Sequence, residues 1–287
     1  MKKNAHSSNL KLSVMALSVS LAFNAVQASA ADTYAPWLTQ IGLKTTVLSA
    51  ANWGNGVFLG VVDTGILTSS PFFTPGQISA SLSSCAAVSF ICSNGVTDDN
   101  GHGTAVAAIA AGNKLMPWTT TNGGYTVSAN SIVSVAPSAN IVAEKVLNAS
   151  GSGYSTDVAN GIKKAADAGA SVINVSITYG NTSDIVSAIN YAASKGAFIV
   201  WAGGNSATSL LGGANTNGLT AAAINHLVFA GSVNAKNAVS SFSNKPGTGS
   251  LVGVGSTAFY ASHWVMAPGE SIARLSLHHG VLGQAHR

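Results

Sequence analysis

Short, continuously apolar runs alternate along this 287-residue chain with alanine-rich runs of helical period. That alternation predicts a three-layer α/β fold in which helices cover both faces of a mostly parallel sheet. Polar loops recur where the apolar runs end, at the strand ends where sites gather in such sheets. The composition agrees: 47% hydrophobic and 8% charged residues with 31 glycines exclude a disordered polyelectrolyte and supply a core for one domain, or at most two.

The elements follow in chain order. Met1 to Ala30 reads as a secretory signal, with Lys2, Lys3 and Lys11 forming a basic start, Leu12 to Val26 largely apolar, and Ala28-Ser29-Ala30 ahead of a cut before Ala31. A single membrane anchor is the weaker alternative, because the apolar run holds Ser13, Ser18, Ser20 and Asn24 and falls short of the roughly 20 residues a span needs. Gly56 to Val62 is a buried strand ending at Asp63-Thr64-Gly65. Gly103 to Ala111 is a helix of very small residues, and Gly112 to Ser134 a polar insertion, a surface loop or hairpin. Ile141 to Leu147 is the second strand, and Ser155 to Ala168 a helix with Val158, Ile162, Ala165 and Ala166 on one face. Ser171 to Ile177 is the third strand. Asp184 to Lys195 is a helix with Ile185, Ile189 and Ala192 inward, stopped at Gly196. Phe198 to Ala202 and Leu227 to Ala230 complete the strands.

Charge and cysteine content narrow the function. Without the three signal lysines, 10 basic face 9 acidic residues, so the remaining domain is near neutral and lacks the basic face that nucleic-acid binding requires. Cys85 and Cys92 either pair, outside a reducing compartment, or stay as two thiols; two cysteines do not make a four-ligand metal site.

Three polar residues stand where chemistry would be placed. Asp63 ends a buried strand, which also suits an Asx-turn or a helix cap. His102 lies between glycines just ahead of the small-residue helix, leaving its imidazole edge open, although a plain loop histidine fits too. Asn205 follows Gly203-Gly204, where its amide either donates to a developing oxyanion or supplies turn geometry.

Taken together, the ordered motifs resemble those of the subtilisin-like serine peptidases. They are Val61-Val62-Asp63-Thr64-Gly65-Ile66, Asn100-Gly101-His102-Gly103-Thr104-Ala105-Val106-Ala107, Val135-Ala136-Pro137, Val172-Ile173-Asn174-Val175-Ser176, Val200-Trp201-Ala202-Gly203-Gly204-Asn205, Ser240-Ser241-Phe242-Ser243-Asn244 and Met266-Ala267-Pro268-Gly269. The resemblance implies a subtilisin-like domain over residues 31–272 that hydrolyses peptide bonds of peptide or protein substrates by acyl transfer, with no cofactor. It implies that Asp63 orients the imidazole, that His102 is general base and then acid, and that Asn205 donates to the oxyanion. Ser176-Ile177-Thr178 would be the strand that pairs with substrate and lines the first specificity pocket, and Thr178, where the family often has Gly, would narrow it. No metal site is expected, since nine acidic residues leave few calcium ligands. The signal, low charge and motifs also resemble the exported passenger region of a Gram-negative autotransporter protease, destined for periplasm, cell surface or medium. Such relatives carry a C-terminal outer-membrane β-barrel, absent from these residues.

One element of the family pattern is missing. The nucleophile there sits in Gly-Thr-Ser-x-Ala-x-Pro beyond the Ala-Pro-Gly run, and none of the 18 residues after Gly269 holds it. Gly255-Ser256-Thr257-Ala258 has the wrong order and position, and Thr248 fails on position. From Ala273 the character shifts, with both arginines and three of the seven histidines (His278, His279, His286) in the tail 273–287. The expectation is a frameshift, premature stop or assembly error; a divergent short C-terminus is the alternative, and a histidine metal tail is weakly supported. The chain as written is therefore expected to be an inactive, poorly stable endopeptidase, or else a pseudoprotease that binds peptide in the residual cleft.

Overall fold

Seven strands are assembled into one sheet: β1 (Phe58–Asp63), β2 (Ser84–Cys85), β3 (Asn140–Lys145), β4 (Val172–Val175), β5 (Phe198–Ala202), β6 (Leu227–Val233) and β7 (Trp264–Pro268). Their spatial order is β7-β6-β5-β4-β1-β3-β2, and every pairing is parallel. This is a computed structural model, and it describes residues 33–34, 36–43, 53–112, 120–122, 125–127, 131–132, 134–178, 180, 182–209, 218–248, 250–253, 256–270, 272, 274–275 and 282–283. The expected signal segment and most of the tail, including His278, His279 and His286, lie outside the described residues.

The helices α1 (His102–Ala111), α2 (Ser155–Asp167), α3 (Ser183–Ser194) and α4 (Ala221–Asn225) divide between the two faces. Alternation along β1 shows how. Val62 belongs to a core with Ile162 of α2, Ile185 and Ile189 of α3, Trp201 and Phe229. Leu59 and Val61 belong to a second core with Ala107, Ala108 and Ala111 of α1 and with Phe72, Phe73 and Ile141. A strand buried on both faces must be apolar throughout, which is why β1 reads as a continuous run. The three-layer α/β architecture expected from the sequence is the one observed.

Local chemistry sets the helix ends. At α3, the Thr182 hydroxyl accepts from the Ile185 N–H at 3.4 Å, and at α4 the Thr220 hydroxyl accepts from Ala223 N–H at 3.1 Å. At α2, Asp157 in the first turn accepts from Tyr154 N–H at 3.1 Å. The same carboxylate accepts from the N–H groups of Val88 (2.7 Å) and Ser89 (3.1 Å) and from the Ser89 hydroxyl. Burial raises its pKa, but these four donors outweigh that and hold it below the ordinary aspartate value. Asp157 thus pins the loop that follows β2, and a disulfide between Cys85 and Cys92 closes that loop.

Several boundaries differ from the expectation. The strand expected over Ser171 to Ile177 is only Val172–Val175, because pairing with β1 and β5 stops at Val175. The strand expected over Leu227 to Ala230 runs on to Val233, since β7 pairs along Phe229 to Val233. Met266-Ala267-Pro268, quoted above only as a motif, is part of edge strand β7, where the proline needs no ladder partner on its outer side. Of the polar insertion, Thr120–Asn122 and Tyr125–Val127 form an antiparallel hairpin, and Ser131–Ile132 pairs in parallel with Thr33–Tyr34.

One buried group in the sheet opposes the fold. Glu144 of β3 is fully buried; its Oε2 accepts from the Ser84 hydroxyl at 2.5 Å, while Oε1 has no hydrogen-bond partner among the described residues. Burial pushes its pKa from 4.5 to about 7, against the weaker downward pull of Ser84 and Lys164. The unfolded chain ionises first, so the protonated side chain is tolerated at low pH and stability falls as pH rises from about 4.5 to about 7, by ~3 kcal/mol. Urea denaturation at pH 4.5 and pH 8 should show that loss in the native chain, and Glu144→Gln should abolish the difference attributable to this site.

Candidate active site

Sheet register gathers the sequence-predicted residues that follow the strands. Val175 pairs with both Val62 and Trp201, so Asp63, Ser176 and the Gly203-Gly204-Asn205 loop leave three neighbouring strands at one carboxyl edge. Asp63, the last residue of β1, is fully buried. His102, the first residue of α1, comes to it from across the strand end. Its Nδ1 lies 2.8 Å from Asp63 Oδ1 and 3.0 Å from Oδ2. A carboxylate only accepts, so Nδ1 carries the proton and Nε2 is left as the basic nitrogen. The imidazole is 45% exposed while the carboxylate is sealed from solvent. Asp63 Oδ1 also accepts from Thr64 N–H at 2.7 Å. An imidazole that faces the surface and is oriented by a buried acceptor is able to move a proton to and from a substrate.

Close approach is required to make this pair. A side-chain carbon at Gly103 would run into the carbonyl oxygen of Gly65 and crowd Asp63 Cβ, so only glycine lets the head of α1 sit against the strand end. The rest of the joint is a residue that sequence reasoning missed. Asp98, buried, takes hydrogen bonds from the Thr64 hydroxyl (2.8 Å), Asn100 N–H (3.0 Å), Gly101 N–H (2.8 Å), Thr104 N–H (2.9 Å) and the Thr104 hydroxyl (2.6 Å). The Thr64 hydroxyl in turn accepts from Gly103 N–H at 2.9 Å. One carboxylate therefore locks the turn after Asp63 to the loop and helix that hold His102. Lys145, also buried, braces the same turn, donating to the carbonyls of Thr64 (2.5 Å) and Leu147 (3.0 Å) and to Asp99 (2.7 Å).

The other predicted residues stand nearby in a different state. Ser176 and Ile177 are half-buried and Thr178 is exposed; they leave β4 as an irregular segment and not as the strand expected. Trp201 Nε1 donates to the Ile177 carbonyl at 2.8 Å, tying this segment to β5. Asn205 is exposed on the loop after β5. Among the described residues, no three His, Cys, Asp or Glu side chains gather to hold a metal ion, and no helix is long and apolar enough to cross a membrane.

Known proteins share this arrangement of strands and motifs. Residues 54–282 match the Subtilase family. Subtilisin of Bacillus sp. (strain TA39) is 34% identical over 188 residues, covering 62% of this chain and 41% of that protein. Thermitase of Thermoactinomyces vulgaris is 38% identical over 155 residues, covering 53% and 48%. The crystal structure of a cold adapted subtilisin-like serine proteinase shares the fold with a TM-score of 0.54 at 27% identity, over 78% of this chain and 66% of that one. The class is that of the subtilisin-like folds, and the chain belongs to the subtilase family. It spans less than half the length of the two curated relatives named.

Removing Asp98 should show how far the site depends on it. Asp98→Ala leaves two hydroxyls and three N–H groups without their acceptor, and should cost ~3 kcal/mol or more in urea denaturation. The low-field Nδ1 proton of His102 should broaden or shift in the same variant, reporting loss of its alignment on Asp63.

Proposed function

We propose that these residues form most of the peptidase domain, over 31–272, of an exported subtilisin-type endopeptidase that cleaves proteins or peptides by acyl transfer. The observation that carries this reading is the 2.8 Å contact between the buried Asp63 carboxylate and His102 Nδ1. In the reaction, His102 Nε2 takes the proton of a serine hydroxyl as that oxygen attacks the scissile carbonyl. Asp63 stabilises the imidazolium that results, and the proton then passes to the leaving amine. Asn205 donates to the oxyanion of the tetrahedral intermediate. Ser176, Ile177 and Thr178 wall the first side-chain pocket, with Thr178 favouring small residues there. The family match over residues 54–282 supports the reading.

The serine is the part these residues do not supply. The 287 residues hold no Gly-Thr-Ser-x-Ala-x-Pro run, so the chain by itself is silent in hydrolysis. A second reading is an exported pseudoprotease that binds peptide in the cleft without cutting it. In both, the segment through Ala30 directs export to periplasm, cell surface or medium, and the domain corresponds to the passenger part of proteins that carry an outer-membrane β-barrel.

Assays with a fluorogenic peptide and with casein should give no turnover by this chain above its His102→Ala variant. When the chain is extended with a serine-bearing segment of a close relative, hydrolysis should appear and fall by ~10³-fold or more on His102→Ala. Hydrolysis by the unextended chain rejects the silent assignment. An extended, folded protein that binds peptide without cutting it selects the pseudoprotease. N-terminal sequencing of the exported product should begin at Ala31.

A further inference from the structure

The loop that bears Asn205 is held by a segment distant in sequence. After β5 the chain runs from Gly203 to Ser209, and one side chain, Asn244, bonds to both sides of Asn205. Asn244 Nδ2 donates to the Gly203 carbonyl at 3.0 Å, and its backbone N–H donates to the Gly204 carbonyl at 2.9 Å. Its Oδ1 accepts from Ser206 N–H (2.9 Å), Thr208 N–H (3.1 Å) and the Thr208 hydroxyl (3.2 Å). Asn244 is 7% exposed; its bond to Gly203 is buried, and those to Ser206 and Thr208 are partly shielded from water.

Neighbouring bonds fix the bracket itself. Ala207 N–H donates to the Phe242 carbonyl at 2.8 Å, and Lys245 N–H to the Thr208 carbonyl at 2.9 Å. The Ser243 hydroxyl accepts from Ser232 N–H of β6 at 2.9 Å and donates to the Asn244 carbonyl at 2.9 Å, which anchors the segment to the sheet. Gly204 takes a left-handed φ of +104°, and a side-chain carbon there would strike the Asn244 amide, so the loop can close on Asn244 only through glycine. The functional segment is thus aimed from outside by a residue that does not reach the reacting atoms.

We infer that Asn244 is a positioning residue, which holds the peptide groups on either side of Asn205 so that the Asn205 amide points at the developing oxyanion. The inference rests on the reading of Asn205 as the oxyanion donor. A carboxamide is needed because the bracket asks one side chain to donate at Gly203 and accept from Ser206 and Thr208 together. An ionised aspartate only accepts, and it would turn a charge toward the Gly203 carbonyl.

A peptide carboxylate mimics the oxyanion without needing a nucleophile. The probe is a short alanine peptide ending in a free carboxylate, compared by calorimetry with the same peptide ending in an amide, on the full chain. The native chain should prefer the carboxylate, and Asn205→Ala should remove the preference. Asn244→Ala should cut it by about tenfold, with hydrogen exchange accelerated at Ser206 and Thr208 and unchanged in β1 and β4. Asn244→Asp keeps the acceptor and protects the fold. It should lose the preference, because the ionised side chain still accepts from Ser206 and Thr208 but no longer donates to the Gly203 carbonyl. Full preference in both Asn244 variants overturns the inference and leaves the oxyanion reading intact. Preference that survives Asn205→Ala overturns the oxyanion reading, and with it the role assigned to Asn244, even where exchange at Ser206 and Thr208 still shows the bracket.

Discussion

A carboxylate sealed at the end of a strand must meet an imidazole at the head of a helix 39 residues later, and much of the surrounding structure serves that contact. Neither partner makes it alone. Asp63 is fixed by the sheet, while His102 is fixed by a loop whose geometry depends on Asp98. The Asp98 carboxylate spends both oxygens on main-chain amides and threonine hydroxyls, so the loop, the turn and the first turn of α1 behave as one body. Buried polar networks of this kind stabilise only when every member is satisfied, and then they select one geometry.

The remaining parts of the site are positioned by two different devices. Sheet register brings β1, β4 and β5 to a common edge through backbone hydrogen bonds. Beyond that edge backbone pairing is sparse and side chains add to it: Trp201 secures Ile177, and Asn244 secures Gly203 to Thr208. Backbone pairing sets where the loops begin, and single hydrogen-bonding side chains set where they point.

This division explains what could be read from the residues. The strands β1 and β5 are legible because they read as uninterrupted apolar runs, and α2 and α3 because their buried residues repeat at the helical period. Asp63, His102 and Asn205 are legible because each stands in a short motif flanked by glycine. Asp98 and Asn244 are not, since their partners are mostly main-chain amides, which leave no mark on residue identity. Edge strand β7 escapes for another reason: its apolar run is only Trp264 to Ala267 and closes on Pro268, which marks a strand poorly. Glu144 interrupts an apolar strand without any sequence signal of its effect, because the cost arises from the helix that buries it.

Two of the fasteners on the loop after β2 answer to different chemistry. The Cys85–Cys92 bond yields to reductant and ignores acid. The Asp157 clamp on Val88 and Ser89 ignores reductant; because its carboxyl is held below the ordinary value, it persists wherever aspartates are ionised and lets go only in stronger acid. Val88 and Ile91, both largely exposed, ride on this loop. A thiol alone or mild acid alone therefore leaves one fastener in place, and the apolar tip stays presented at a fixed height above α2 in either environment.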